Sequence, residues 1–410
     1  MGHTLAQKML AAKCGRKEVQ PGEIVWAQPD LIAQYMHSAG IPDIRIHPDR
    51  VAITIDHTFV PKGEAEARSH ANMRETARKY KISNFGEVGR TGVQFQWLAE
   101  RGLVRPGMLI VHLDPHVSTY GAFGTYSCGI GSDYLQAYQT GEVWLRVPQT
   151  VKIDVTGRFA DGVTSRDLFG QIINEMGPLG ALGQVVQFDG PTVSAMSIES
   201  RMVLCNMAMF LSAETAIIES DRKIVDYVKS RTARPFEVFQ SDADADYARM
   251  LNFDVSDMAP QIVMPDAVYH VESVKAVAGV AIDQGFIGSC ASGRMEDLRL
   301  AARVLKGRKV HPNVRLVIAP ITPEIQKEAA REGLTEIFWE AGALVGPPSC
   351  GMCMQLGYGF LLPGETLIST ATMNVPGRLG SPEAESYLAN PATVAASAVA
   401  GKISDPREFL

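Results

Sequence analysis

The segment Val104 to Ser132, VRPGMLIVHLDPHVSTYGAFGTYSCGIGS, sets the reading of the whole chain. Its apolar run Met108 to Leu113 has the length and make-up of a buried strand and breaks off at Asp114-Pro115-His116. Strands that stop at ionisable side chains are how α/β folds set functional loops at the carboxyl ends of their sheets. Beyond that point, Gly121 to Gly131 is crowded with glycine and small residues, which lets backbone approach another surface or a ligand. Period-two alternation puts His112 on the same face as Asp114 and His116, where it is either a proton carrier or simply a polar residue at a strand end.

The same rhythm extends outward. Upstream, the apolar run Val51 to Ile55 ends at Asp56-His57, helical stretches cover Ala65 to Tyr80 and Gln94 to Glu100, and Thr4 to Lys17 opens the chain as a helix stopped at Gly15. Downstream come strands Val143 to Val147 and Thr150 to Thr156, a helix from Ser165 to Met176, a strand at Gln184 to Phe188 and a helix over Ile198 to Ala213. A third block carries a strand into Ile287, a helix at Met295 to Leu305, a strand at Arg315 to Ala319, a helix at Pro323 to Glu332 and an Ala-rich helix at Ala392 to Ala400. The 410 residues therefore divide into three α/β blocks, 1–142, 143–270 and 271–410.

Composition narrows the function. With 39 Lys and Arg against 45 Asp and Glu, the net charge is −6, without the basic excess that nucleic-acid or anionic-membrane binding needs as a main task. No apolar run reaches the length of a membrane span, and the N-terminus has no long apolar stretch for secretion, so a cytoplasmic protein is expected. Six cysteines are too sparse for a disulfide framework.

Three of those cysteines sit on glycine-flanked loops of the last block: Cys290, and the pair in Cys350-Gly351-Met352-Cys353. Thiolates are soft ligands for zinc or iron-sulfur centres, and three of them would leave one coordination position open for chemistry. A redox dithiol or three unrelated thiols are the alternatives. Cys14, Cys128 and Cys205 read as core residues. Asp56-His57 and Asp114/His116 each set an imidazole beside a carboxylate, the pairing that holds one tautomer ready for proton transfer. Arg378, in Asn374-Val375-Pro376-Gly377-Arg378, offers a fork for a carboxylate or is a solvated loop cation.

Taken together, TLAQK at 4 to 8, IDHTFVP at 55 to 61, the segment 104 to 132, SIESRMVLCNMAM at 197 to 209, IGSCASGRMEDLRLAARVLKGRKV at 287 to 310 and the CGMC pair resemble the aconitase superfamily, in particular the large subunits of isopropylmalate isomerase and homoaconitase. The resemblance runs the whole length. It implies three aconitase-type α/β domains and a 4Fe-4S cluster on Cys290, Cys350 and Cys353 that removes water from a small hydroxy carboxylic acid by Lewis-acid activation. It also implies that Asp56, His57, Asp114 and His116 are catalytic and that Asn206, Asn374 and Arg378 bind substrate. The family's base lies in a small swivelling domain that short members receive as a separate subunit, so such a partner is expected.

Departures from the family pattern accompany the matches. Phe95 stands where the family has a histidine, Phe210 where it has a glutamate, Met373 where it has an arginine, and Pro115 replaces a serine; two of three His-carboxylate pairs have each lost a member. After Asp30 the family's His-Asp-x-Thr stretch is rewritten as Leu31 to His37. Losing a fixed arginine costs about a few kcal/mol in carboxylate binding, which points to a substrate other than isopropylmalate or citrate. Three functional classes follow: an iron-sulfur hydro-lyase or isomerase, a binding or regulatory protein with a sensing cluster, and a lone zinc site. His112 is further considered as taking over the relay vacated at Phe95.

Overall fold

A computed structural model of the chain describes residues 2–35, 43–353 and 357–410. Three sheets, each largely parallel, carry the molecule. The first orders its strands Asn84–Gly86, Val51–Thr54, Leu31–Gln34, Leu109–His112, Tyr126–Gly129, all parallel. The second runs Thr215–Ile217, Val185–Asp189, Thr150–Thr156, Arg249–Asp254. In the third, Glu385–Leu388, Thr366–Ser369, Gln284–Ile287, Arg315–Ile318 and Leu344–Val345 are parallel, while Gln261–Val263 and Val271–Ser273 extend one edge antiparallel. Leu31–Gln34, Val51–Thr54, Leu109–His112 and Gln284–Ile287 are buried at every position. Parallel strands covered on both faces read as unbroken apolar runs rather than alternating ones, which is why the site strands stand out in the sequence.

Helix boundaries follow local chemistry. Leu5–Lys13 starts at a Thr4/Gln7 capping box and ends four residues short of Lys17, with Gly15 left-handed just beyond it. Ser165–Met176 and Met295–Leu305 occupy the expected spans. The helix over Ile198 ends at Met207 and tightens into the 3-10 turn Ala208–Leu211, closed by Ser212 at φ 58. The glycine-rich stretch after Asp114 is ordered, not loose: a 3-10 helix, Pro115–Phe123, leads into strand Tyr126–Gly129. At Gly121 a Cβ would lie 1.7 Å from the Ala216 carbonyl oxygen, so only glycine lets this turn rest on the second sheet.

The three sheets are locked together. Buried Arg166 donates through Nη1 to the Thr370 carbonyl at 2.9 Å and through Nη2 to that of Ala371. Arg303 grips Asp161 with two bonds of 3.0 and 2.7 Å, and Ser118 Oγ donates to the Cys205 carbonyl at 2.7 Å. Trp26 and Trp144 face each other on a separate antiparallel ribbon, Ile24–Ala27 with Val143–Arg146. The large apolar core includes Cys290, Cys350 and Cys353 together with Phe95 and Phe210.

Candidate active site

The first sheet sets three strand ends side by side. Leu31–Gln34 lies between Val51–Thr54, which leads to Asp56-His57, and Leu109–His112, which leads to Asp114. Asp56 is 1% exposed; its Oδ1 meets His57 Nδ1 at 2.7 Å and its Oδ2 accepts the Gln94 backbone N–H at 3.0 Å. Burial works against a charged imidazole, but the charge and hydrogen bond of Asp56 outweigh it and raise the His57 pKa to about 9.

Asp114 and His116 form the second pair. Asp114 Oδ1 accepts both the backbone N–H of His116, at 2.6 Å, and its Nδ1, at 2.8 Å. The His116 pKa also rises to about 9: burial opposes the charge, and Cys290 and Asp114 overcome it. Burial likewise opposes the Asp114 carboxylate, yet His116, His112 and the Tyr35 hydroxyl hold it far below the usual carboxylate range. His116 Nε2 is buried without a partner.

Two residues that the sequence reading passed over tie these pairs together. Tyr35 follows the middle strand, donates its hydroxyl to Asp114 Oδ2, and stacks on His57 with ring centroids 4.1 Å apart and planes at 20°. Burial and the neighbouring Asp114 charge push its hydroxyl far above the usual tyrosine range, so it remains a donor. Gln94 donates its side-chain amide to the Gln34 carbonyl and the Thr54 hydroxyl, both at 2.8 Å, and presents Oε1 to His112 Nε2 at 2.9 Å. Because a carbonyl only accepts, this fixes the Gln94 amide, and the proton of His112 sits on Nε2. Its Nδ1 accepts the Asp114 backbone N–H at 2.7 Å. Both ring nitrogens of His112 are thus engaged, Nε2 with Gln94 and Nδ1 with the Asp114 backbone. His37 falls outside the described residues.

The three loop cysteines meet. Cys350 stands near enough to Cys290 and Cys353 that their ionisation is linked, and its own thiol is held well above the ordinary cysteine range. Cys353 falls to about pKa 5, first through the hydrogen bond from Cys350 and then through Arg378, His57 and His116; Cys290 falls to about 6, first through Cys350, against burial, and then through His116. Cys128 and Cys205, buried among apolar groups, are pushed the other way, and Cys14 is only half-buried. Glycines shape the cysteine loops: Gly351 adopts φ 63 and a Cβ there would meet the Phe286 ring at 2.5 Å, while Ser289, beside Cys290, holds a left-handed φ of 79. Among the described residues no three His, Cys, Asp or Glu side chains surround one point as a single metal ion requires. Cysteine sulfur is the donor type of iron-sulfur centres, so the residues present fit such a group.

The remaining residues divide. Asn206 donates to Thr119 Oγ1 at 2.8 Å, and its Oδ1 faces Cys290 Sγ at 3.9 Å. Arg378 points Nη2 at Cys353 Sγ, 3.7 Å away, and its buried Nε has no partner. Asn374 lies apart in its bonding: its amide donates to the carbonyls of Met264 and Ser386, and its Oδ1 is unpartnered. Phe95 packs edge-on against Tyr120 at 5.8 Å, and Phe210 stands edge-on to His116 at 6.2 Å. Asp114 and His116 pair with each other.

Residues 46–401 match the family model described as "Aconitase family (aconitate hydratase)". The "3-isopropylmalate dehydratase large subunit 1" of Pyrococcus furiosus is 43% identical over 423 residues, covering 100% of this chain and 99% of its own. The "Probable methanogen homoaconitase large subunit" of Methanothermobacter thermautotrophicus is 40% identical, covering 98% and 97%. The solved structure of Thermococcus kodakaraensis aconitase X in its holo-form is 14% identical, with a TM-score of 0.47 over 85% of this chain and 84% of that one. No helix among the described residues is long and apolar enough to cross a membrane.

Proposed function

The chain belongs to the aconitase family, and on that premise we propose that it is the large subunit of an iron-sulfur hydro-lyase that dehydrates or isomerises a small hydroxy carboxylic acid. The carrying observation is that Cys290 joins Cys350 and Cys353 in one buried group whose charges are felt by both His57 and His116. Cys290, Cys350 and Cys353 would hold a 4Fe-4S cluster, which when bound supplies the Lewis acidity that weakens the C–O bond of the substrate hydroxyl.

The chain's own groups do the rest. His57, protonated at neutral pH and held through Nδ1 by Asp56, has Nε2 to give its proton to the departing hydroxyl. His116, oriented by Asp114, presents an uncommitted Nε2 for the same pocket. Arg378 has an unused Nε–H for a substrate carboxylate, and Asn206 borders Cys290. The relatives are named large subunits; a small swivelling subunit would complete the site here with the base and further carboxylate contacts.

Phe95, Phe210 and Met373 favour a substrate with fewer acidic groups, or a bulkier apolar part, than isopropylmalate or citrate. Turnover of isopropylmalate, citrate or homocitrate at about 1 to 1000 per second would sink that narrower claim. The wider reading is tested on anaerobically purified protein, expected to be brown and to bleach in air, with Cys353→Ser colourless. His57→Ala should keep the colour and lose turnover. A brown protein with no substrate among hydroxy acids would instead support a sensing role, which the two buried phenylalanines favour by removing polarity from the pocket.

A further inference from the structure

We infer that Tyr35 is a positioning residue that couples the two Asp-His pairs, its ring fixing His57 and its hydroxyl fixing Asp114 and through it His116. The inference rests on the proposed hydro-lyase site for its purpose, and on the described contacts for its substance. Tyr35 occupies the end of the strand between the two site strands, so neither pair can shift laterally without meeting it. It lies in the stretch after Asp30 that departs from the family pattern, and it touches both Asp114 and Phe95.

The division of labour is geometric. Asp114 has two carboxylate oxygens: Tyr35 takes Oδ2, which leaves Oδ1 facing the backbone N–H and Nδ1 of His116. Without the hydroxyl, Oδ2 loses its partner and the carboxylate is held through Oδ1 alone, so the His116 ring, whose Nδ1 shares that oxygen with a backbone N–H, is less firmly anchored. The Tyr35 ring meanwhile lies parallel to His57 at 4.1 Å and against His112 at 4.7 Å, with Phe95 edge-on at 6.3 Å. Planar packing of this kind fixes ring orientation beyond what area burial supplies. Asp56 alone holds His57 by one hydrogen bond, around which the ring can still librate.

The test reads ring accessibility histidine by histidine, on the full chain, as the rate of acylation by diethyl pyrocarbonate measured by peptide mass. Tyr35→Phe keeps the stack and drops the hydroxyl; it should speed modification of His116 about fivefold, the weight of one hydrogen bond, and leave His57 within about twofold. Tyr35→Leu should speed both. His311, in the turn between the helix Met295–Leu305 and the strand Arg315–Ile318, serves as the control for general loosening. Unchanged rates at His116 in Tyr35→Phe, an equal rise at His57 in that variant, or a rise shared with His311 would each overturn the inference. Should Tyr35→Leu not fold, Asp114→Asn stands in, expected to match Tyr35→Phe at His116. No turnover is read, so failure here leaves the hydro-lyase reading untouched.

Discussion

Asp114 receives two bonds from His116 on the same carboxylate oxygen, one from the backbone and one from the ring. A carboxylate that holds both the peptide and the imidazole of a residue two positions on fixes the ring relative to its own main chain. The pair therefore holds without a polar side chain at Phe95 or Phe210. It follows that removing Asp114 is more damaging than replacing either phenylalanine. Asp114→Asn should lower turnover of the true substrate by about 10² to 10⁴, the range for losing an oriented proton-transfer group, with iron content unchanged. Steady-state rates on protein matched for iron would check this.

His57 carries the pH dependence. Its folded pKa of about 9 lies above the ordinary value, so the proton-donating form is fully populated below about pH 7 and is lost as pH rises through 9. Turnover should fall along a basic limb centred near pH 9. Asp56→Asn, which removes the charge that raises the pKa, should move that limb to lower pH. A limb that stays in place would assign it to another group.

Gly351 tests the cysteine loop without touching sulfur. Gly351→Ala places a methyl group 2.5 Å from the Phe286 ring at φ 63, so either the ring or the turn between Cys350 and Cys353 must move. A loss of about 1 to 3 kcal/mol in stability is expected, with iron bound per chain reduced more than proportionally. Denaturant midpoints and iron analysis on the same preparation separate the two effects.

Asp297 gives a stability signature. It is half-buried near Arg294, Glu199 and Glu296, and loss of solvent around it raises its pKa to about 7. Its folded pKa thus exceeds the unfolded value near 3.9, so its favourable contribution is complete below about pH 4 and is withdrawn as pH rises to 7. Asp297→Asn retains an oxygen for the Arg294 N–H that Asp297 Oδ2 accepts at 3.0 Å, and should be relatively more stable at pH 8 than at pH 4.5. Melting temperatures of both proteins at the two pH values provide the comparison.

How much of this was legible in the sequence depended on whether a residue's role is local. Asp56, His57, Asp114 and His116 announce themselves because apolar strands stop at them, and Cys290, Cys350 and Cys353 because thiols stand among glycines. Tyr35 and Gln94 do not: a tyrosine after a short apolar run and a glutamine opening a helix look ordinary until the strand order places them between the pairs. Recognising Leu31–Gln34 as a third strand of the same sheet would have pointed to Tyr35. Strands Thr366–Ser369 and Glu385–Leu388 were likewise hidden, since Thr366, Ser369, Glu385 and Ser386 interrupt the apolar pattern that buried parallel strands usually show. The helix Leu334–Ala341 was also passed over, with Gly333 and Gly342 at its ends.

The last helix, Pro391–Ala400, packs on both the strand Gln284–Ile287 and the helix Met295–Leu305 that flank Cys290. During synthesis the thiol at Cys290 therefore emerges about a hundred residues before the element that covers its strand, and the CGMC turn appears in between. On the proposed reading a cluster would be held only once nearly the whole chain is made, and a nascent product halted ahead of Pro391 would present loose thiols to oxygen or stray metals instead of a shaped receptacle.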